Sequence, residues 1–163
     1  MANIKLIRID SRLIHGQVIT NWIIKIGIKG ILIIDDELAI DNFMKEIYTM
    51  AAPPGIDVNV FGTQEAIIEW NDNKFGEKDL LILFKDIDNV VKMQELGFPM
   101  ESIQIGGLPS GIGKKTVYKT ISLGEKDFEN LDKLSNDGMD IYFQMLPGDQ
   151  TISYHSIKKN KKG

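Results

Sequence analysis

Cysteine is absent from the 163 residues, and no apolar stretch reaches the roughly 18 residues that a membrane-spanning helix needs. The first absence excludes disulfides and thiolate metal ligands. With no signal-peptide pattern at the N-terminus, it sets the expectation of a cytoplasmic chain. A surplus of positive charge is missing too. The 23 acidic residues outnumber the 19 basic ones, giving a net charge of −4, so there is no broad positive field for a nucleic-acid backbone and no such partner is expected. The run Lys158-Lys159-Asn160-Lys161-Lys162 is short and carries no interleaved aromatics. It reads as a solvated basic tail at about 157–163. Histidine occurs only twice, at His15 and His155, without the spacing of a zinc site, so no metal and no cofactor are expected. His155 sits in the polar stretch Ser153-Tyr154-His155-Ser156 and reads as an exposed residue.

Arginine is the scarcest charged side chain. Only two of the 19 basic residues are Arg, and both, Arg8 and Arg12, lie close in sequence to His15. A chain that elsewhere uses Lys for surface charge therefore uses the planar fork that grips phosphate or carboxylate bidentately at one place.

What is present is an alternation of short apolar runs and longer helical segments. Ile4–Ile9 reads as a strand, and a helix over about Gly16–Ile26 follows with Val18, Trp22, Ile23 and Ile26 on one face. Gly30 opens the continuously apolar run Ile31–Ile34, the pattern of a strand buried on both faces. Asp35-Asp36 ends it, and one helix is expected from there to Tyr48–Ala51, stopped by Pro53-Pro54-Gly55. Further strands are expected at Asp57–Phe61, Leu80–Phe84, Ser102–Ile105, Val117–Ser122 and, last, Ile141–Met145. Helices are expected from Thr63, as cap, to Trp70, over Ile87–Leu96 and over Glu125–Asn136, with Gly106–Gly113 a loop. No repeat or linker interrupts the series. The reading is one domain, 1–163, of α/β class: a three-layer α/β/α sandwich around a mainly parallel sheet of about six or seven strands.

In open α/β sheets ligands bind beyond the carboxyl ends of strands, where loops enter helices. Asp10–Gln17 is such a loop. An imidazole at its end gains the open N–H groups of a helix start, a glycine (Gly16) that lets backbone approach an anion, and Arg12 to spread transferred charge. Asp10 is placed either to orient the Arg or to fix the imidazole tautomer; the sequence leaves open which nitrogen is the nucleophile. Two other patterns fit structural roles. Gly106–Thr116 fails the spacing of a phosphate-binding P-loop, and Asp35, Asp36, Glu37 and Asp41 are what the macrodipole favours at helix N-termini, a reading preferred to a Mg²⁺ site.

The stretch Arg8-Ile9-Asp10-Ser11-Arg12-Leu13-Ile14-His15-Gly16-Gln17-Val18 resembles the signature of the mannose/fructose/sorbose family of phosphotransferase IIB subunits. Asp35-Asp36-Glu37, Ala51–Gly55 and Ile105-Gly106-Gly107 resemble family landmarks in the same order. The resemblance implies a phosphohistidine–sugar phosphotransferase. His15 is then the phosphorylated residue and Arg12 stabilises the phosphoryl group. Arg8, Asp10, Gly16 and Gln17 would support the loop, while Ser11 stands where relatives are often acidic. It implies phosphate received from a IIA partner and delivered to a sugar on membrane IIC and IID subunits, with peripheral attachment to the inner membrane face through them. A homo-oligomer stays open. Two other readings remain beside it: a histidine-type phosphatase or mutase, which needs a second His as acid–base partner, and a non-enzymatic α/β interaction module.

Overall fold

Two runs that the chain makes wholly apolar, Gly30–Ile34 and Leu80–Phe84, become adjacent central strands buried on both faces. In the computed structural model, which describes residues 1–161 (the backbone alone for Gln17 and Lys161), the elements follow in the order β1 (Asn3–Asp10), α1 (Gly16–Ile26), β2 (Gly30–Ile34), α2 (Asp36–Ala39), α3 (Asn42–Met50), β3 (Asp57–Phe61), α4 (Thr63–Asn73), β4 (Asp79–Phe84), α5 (Ile87–Glu95), β5 (Ser102–Gly107), β6 (Lys115–Tyr118), β7 (Ile121–Leu123), α6 (Glu125–Asn136), β8 (Asp140–Phe143), β9 (Ile152–Ser153) and α7 (Tyr154–Lys161). Seven strands form one sheet in the order β3-β2-β4-β1-β5-β8-β9, parallel except for β9.

Register sorts the core into two layers. Ile31 and Ile33 pair with Leu81 and Leu83, and these four join Leu13, Ile14 and Ile19 on the first face. Leu32 and Ile34 pair with Ile82 and Phe84 and pack on the second face against α4, α5 and α6. Right-handed crossovers explain the split: α1 and α3 serve connections stepping one way along the sheet, and α4, α5 and α6 serve those stepping back. The helices flank both faces, as the expected three-layer sandwich requires. β1 lies between β4 and β5, whose following helices cover the second face while its own covers the first. A crevice therefore opens at its carboxyl end.

Several boundaries differ from expectation. The single helix after β2 is two, because Asp35 caps α2 through the Leu38 N–H at 2.9 Å and Asp41 caps α3 through the Met44 N–H at 3.1 Å. Asp36 accepts the Thr63 N–H at 2.7 Å and lies 2.9 Å from Lys92 Nζ. Much of the acidic run thus serves helix ends and ties between elements. Gly62, not Thr63, is the N-cap of α4. Among the described side chains of α1, Ile19 and Trp22 are buried, with Val18, Ile23 and Ile26 only half-buried. Residues 117–122 fold into the antiparallel hairpin β6–β7 outside the main sheet, turning at Lys119 with φ +36°.

The strand expected to be last, β8, stops at Phe143, and β9 and α7 follow. The expected basic tail is helical through Lys161, and its start is anchored by buried Tyr154 and Ile157; Lys162 and Gly163 lie outside the described residues. The Tyr154 hydroxyl reaches Asp132 Oδ1 at 2.7 Å and the Phe128 carbonyl at 3.3 Å. Tyr154→Phe is therefore expected to cost about 1–2 kcal/mol in urea unfolding with an unchanged slope. An unchanged midpoint would mean that the hydroxyl does not hold the helix.

Candidate functional site

Arg8 and Asp10 are two residues apart on β1, so their side chains leave the same face of the strand. Arg8 is 1% exposed. Its Nη1 donates to the Gln104 side-chain oxygen and, at 2.9 Å, to the Gln144 carbonyl. Its Nη2 donates to Asp10 Oδ2 at 3.2 Å and to the Met145 carbonyl at 3.0 Å, and Trp22 lies with its ring centre 5.4 Å from the guanidinium carbon. Burial pulls the Arg8 pKa below its ordinary value, and the charge and hydrogen bond of Asp10 oppose that pull. A buried charge is tolerable here because it is paired with Asp10 and both Nη groups also donate to neutral oxygens.

Room for this pair comes from two glycines. A Cβ on Gly106 would fall 2.0 Å from the Arg8 guanidinium carbon, and one on Gly107 would fall 2.9 Å from Asp10 Oδ1. Gly106 and Gly107, expected to begin a loop, are the last two residues of β5. Glycine is needed there because side chains from the neighbouring strand occupy the space that a side chain of β5 would fill.

Asp10 gathers the rest of the site. Its Oδ2 lies 3.2 Å from His15 Nε2, and its Oδ1 accepts the Arg12 N–H at 3.1 Å and stands 3.6 Å from Arg12 Nε. Between them the loop is cinched by the Ser11 N–H on the Gly107 carbonyl and the Leu13 N–H on the Asp10 carbonyl, both 2.9 Å. Leu13 takes φ +55°, a left-handed conformation unfavourable for a branched side chain, and holds it with its side chain sunk in the first-face core. His15 is the N-cap of α1, followed by Gly16 at φ +46°, and its side chain makes no cap bond, so it gives the first-turn N–H groups no acceptor. The His15 ring is 20% exposed and the Arg12 side chain 49%.

A carboxylate can only accept, so in the neutral imidazole the Asp10 contact places the proton on Nε2 and the lone pair on Nδ1. The arrangement is an imidazole braced by a buried carboxylate beside a half-exposed guanidinium.

The structure thus brings together His15, Arg12, Asp10 and Gly16. Arg8, expected to support the loop, is buried beneath it as the counter-ion of Asp10. The side chain of Gln17 lies outside the described residues. His155 is exposed on α7, which packs on the second face, whereas His15 opens α1 on the first. No second imidazole stands at the site, which removes the support for a phosphatase or mutase. Among the described residues no group of three or more His, Cys, Asp or Glu is arranged to hold a metal, and no helix is long and apolar enough to cross a membrane. A cavity of about 540 Å³ between the β6–β7 hairpin, α6 and α7 includes none of these site residues. The sequence reading passed over Gln104, Gln144 and the packing role of Gly106-Gly107. The available signal was a Gln set between Ile103 and Ile105 in a buried strand.

The family described as the PTS system sorbose subfamily IIB component matches residues 4–163. The sorbose-specific EIIB component of Lacticaseibacillus casei is 33% identical over 146 residues, covering 90% of this chain and 89% of that protein. The chain belongs to the sorbose-subfamily IIB family. Similarity extends to the mannose-specific EIIAB component of Escherichia coli strain K12, 34% identical over 149 residues, which are 91% of this chain and 46% of that protein. The chain therefore spans about half the length of that relative. The crystal structure of manxB from Thermoanaerobacter tengcongensis superposes with a TM-score of 0.90 at 41% identity, covering 98% of this chain and 96% of that one. The resemblance carried by Arg8–Val18 is borne out, as is the three-layer α/β architecture of a IIB component.

Proposed function

We propose that this chain, acting as a single IIB domain, accepts a phosphoryl group on His15 from a phosphohistidine of a IIA partner. It then hands the group to a sugar held by membrane IIC and IID subunits, working in the cytoplasm at the inner face of the membrane. The observation that carries this reading is the bracing of His15 Nε2 by Asp10, which leaves Nδ1 free on a partly exposed ring beside Arg12.

The chemistry balances without a metal. The Nδ1 lone pair forms a new N–P bond as the N–P bond of the donor imidazole breaks, and the electron pair of that bond returns to the donor ring. The proton stays on Nε2, where Asp10 carries the charge opposite to the one the ring acquires. Arg12, with the open N–H groups at the start of α1, meets the phosphoryl oxygens. Transfer to the sugar reverses the roles: the N–P bond breaks with its electron pair returning to Nδ1 as a sugar hydroxyl oxygen binds phosphorus, and the hydroxyl proton passes to a base on the sugar-holding subunit or to water.

The direct test is incubation with phosphoenolpyruvate, the general phosphotransferase proteins and a IIA partner, followed by peptide mass spectrometry. One acid-labile, base-stable phosphate on the His15 peptide is expected; phosphate on His155, or none, overturns the proposal. Arg12→Lys should slow uptake about 10–10²-fold while leaving the unfolding midpoint in place, since a point charge replaces a fork on a half-exposed side chain. An unaffected rate removes Arg12 from the mechanism.

A further inference from the structure

Behind the Arg8–Asp10 pair the hydrogen bonds run in one direction. Gln104 is 0% exposed and Gln144 9%. Arg8 can only donate, so the Gln104 atom facing it must be the carbonyl oxygen. That choice turns the Gln104 amide nitrogen towards the Gln144 side-chain oxygen, 3.1 Å away. The Gln144 nitrogen must then face acceptors, and it does: the Pro147 carbonyl at 3.2 Å and the Asp149 carbonyl at 3.0 Å. Asp149 in turn closes its loop by accepting the Leu146 N–H at 3.0 Å and the Lys119 ammonium at 2.8 Å. Every amide orientation is therefore fixed by its neighbour, from the surface loop inward to Arg8, and onward through Asp10 to His15.

We propose that Gln104, backed by Gln144, is a positioning residue for the chemistry of His15. Its neutral carbonyl holds Nη1 of Arg8 so that Nη2 faces Asp10, and because it carries no charge Asp10 remains, among the described residues, the one carboxylate on that guanidinium. Asp10 is thereby held at the angle that keeps the imidazole proton on Nε2. A glutamate at position 104 would meet the Arg8 requirement equally well, but it would set a second carboxylate on the same cation and turn an acceptor towards the Gln144 oxygen. An apolar residue would leave Nη1 with the Gln144 carbonyl alone. The inference rests on the reading of His15 as the phosphoryl acceptor for its rate effect, but its tautomer effect can be read on the unphosphorylated chain without any partner.

Gln104→Met is close in volume and removes both the acceptor and the donor. It is expected to slow phosphate acceptance from a phosphorylated IIA protein about 10-fold, and in ¹⁵N spectra of the imidazole to shift His15 from the Nε2–H tautomer towards a mixture with Nδ1–H. Gln144→Leu, one link further out, should move both readouts in the same direction by less, and serves if the first variant does not fold. Gln104→Glu separates position from charge: it keeps an acceptor on Arg8, so a purely structural role would restore the wild-type rate and tautomer, whereas the proposal expects both to remain altered. A slowed rate with an unchanged tautomer population would overturn the assignment, as would two variants that leave both readouts at wild type. If His15 takes no phosphate at all, the proposed function fails, while the tautomer shift still decides the role of Gln104.

Discussion

Asp10→Asn is expected to reduce phosphoryl acceptance by about 10³–10⁴-fold, the scale on which an Asp→Asn change behind a catalytic imidazole acts by imposing the wrong tautomer. The carboxylate receives three hydrogen bonds, from Arg8, the Arg12 backbone and the His15 ring, and offers acceptors in every direction. An amide has one acceptor oxygen and one donor nitrogen. If the nitrogen faces His15, the ring must accept at Nε2, the proton moves to Nδ1, and the nucleophilic lone pair is lost. If the oxygen faces His15, the amide protons confront the Arg12 N–H, donor against donor. Either orientation also leaves Arg8 buried without an anion. Folding should suffer by up to about 3 kcal/mol, moderated by the three neutral oxygens that still hold the guanidinium. Rapid-quench measurement of phosphate uptake from a phosphorylated IIA protein, with circular dichroism to establish the fold, checks this; an uptake rate within a few-fold of wild type would remove Asp10 from the mechanism.

Gly106→Ala is the other large effect, and it acts through packing alone. The new methyl would sit 2.0 Å from the Arg8 guanidinium carbon and 2.4 Å from Nη1, distances that no side chain tolerates. Arg8 has no open space to retreat into, because four oxygens hold its nitrogens and Trp22 lies beside it. Displacing it strands the Asp10 carboxylate and the Gln104 oxygen together, so a loss of about 3–5 kcal/mol is expected in denaturant unfolding. Gly107→Ala meets the Asp10 carboxylate at 2.9 Å and should cost less, about 1–3 kcal/mol. A cycle with Arg8→Leu gives the cause: if the clash is with the guanidinium, the double variant with Gly106→Ala should be less destabilised than the sum of the singles by at least about 1 kcal/mol. Additive losses would place the clash elsewhere.

These two glycines mark where the amino-acid sequence stops being legible. Local signals carried the elements whose ends are written in their own residues: α1 begins at Gly16, and α6 runs from Glu125 to Asn136 as expected. His15, Arg12 and Asp10 were readable as a site because they share one loop after one strand. Gly106 and Gly107 were not readable as packing residues, since the atoms that exclude their side chains belong to a strand about a hundred residues earlier. Arg8 was hidden for the same reason. A lone Arg on a strand gives no sign of burial until Gln104, Gln144 and Met145 arrive from β5 and the loop after β8 to receive it. The break between α2 and α3 was missed because acidic residues at a helix start look alike whether they serve one helix or cap two. The terminal helix was missed because only two apolar residues, Tyr154 and Ile157, anchor its beginning in a polar segment.

Leu13, with its backbone turned the wrong way and its side chain plugged into the interior, sets the character of the loop. A segment pinned from beneath cannot swing like a lid between one visitor and the next. On the proposed reading the imidazole is a fixed post on which cargo is hung and from which it is lifted, with any reorientation left to the molecules that call on it. The torsional cost at Leu13 is met once, when the chain folds, and need not be met again at each exchange.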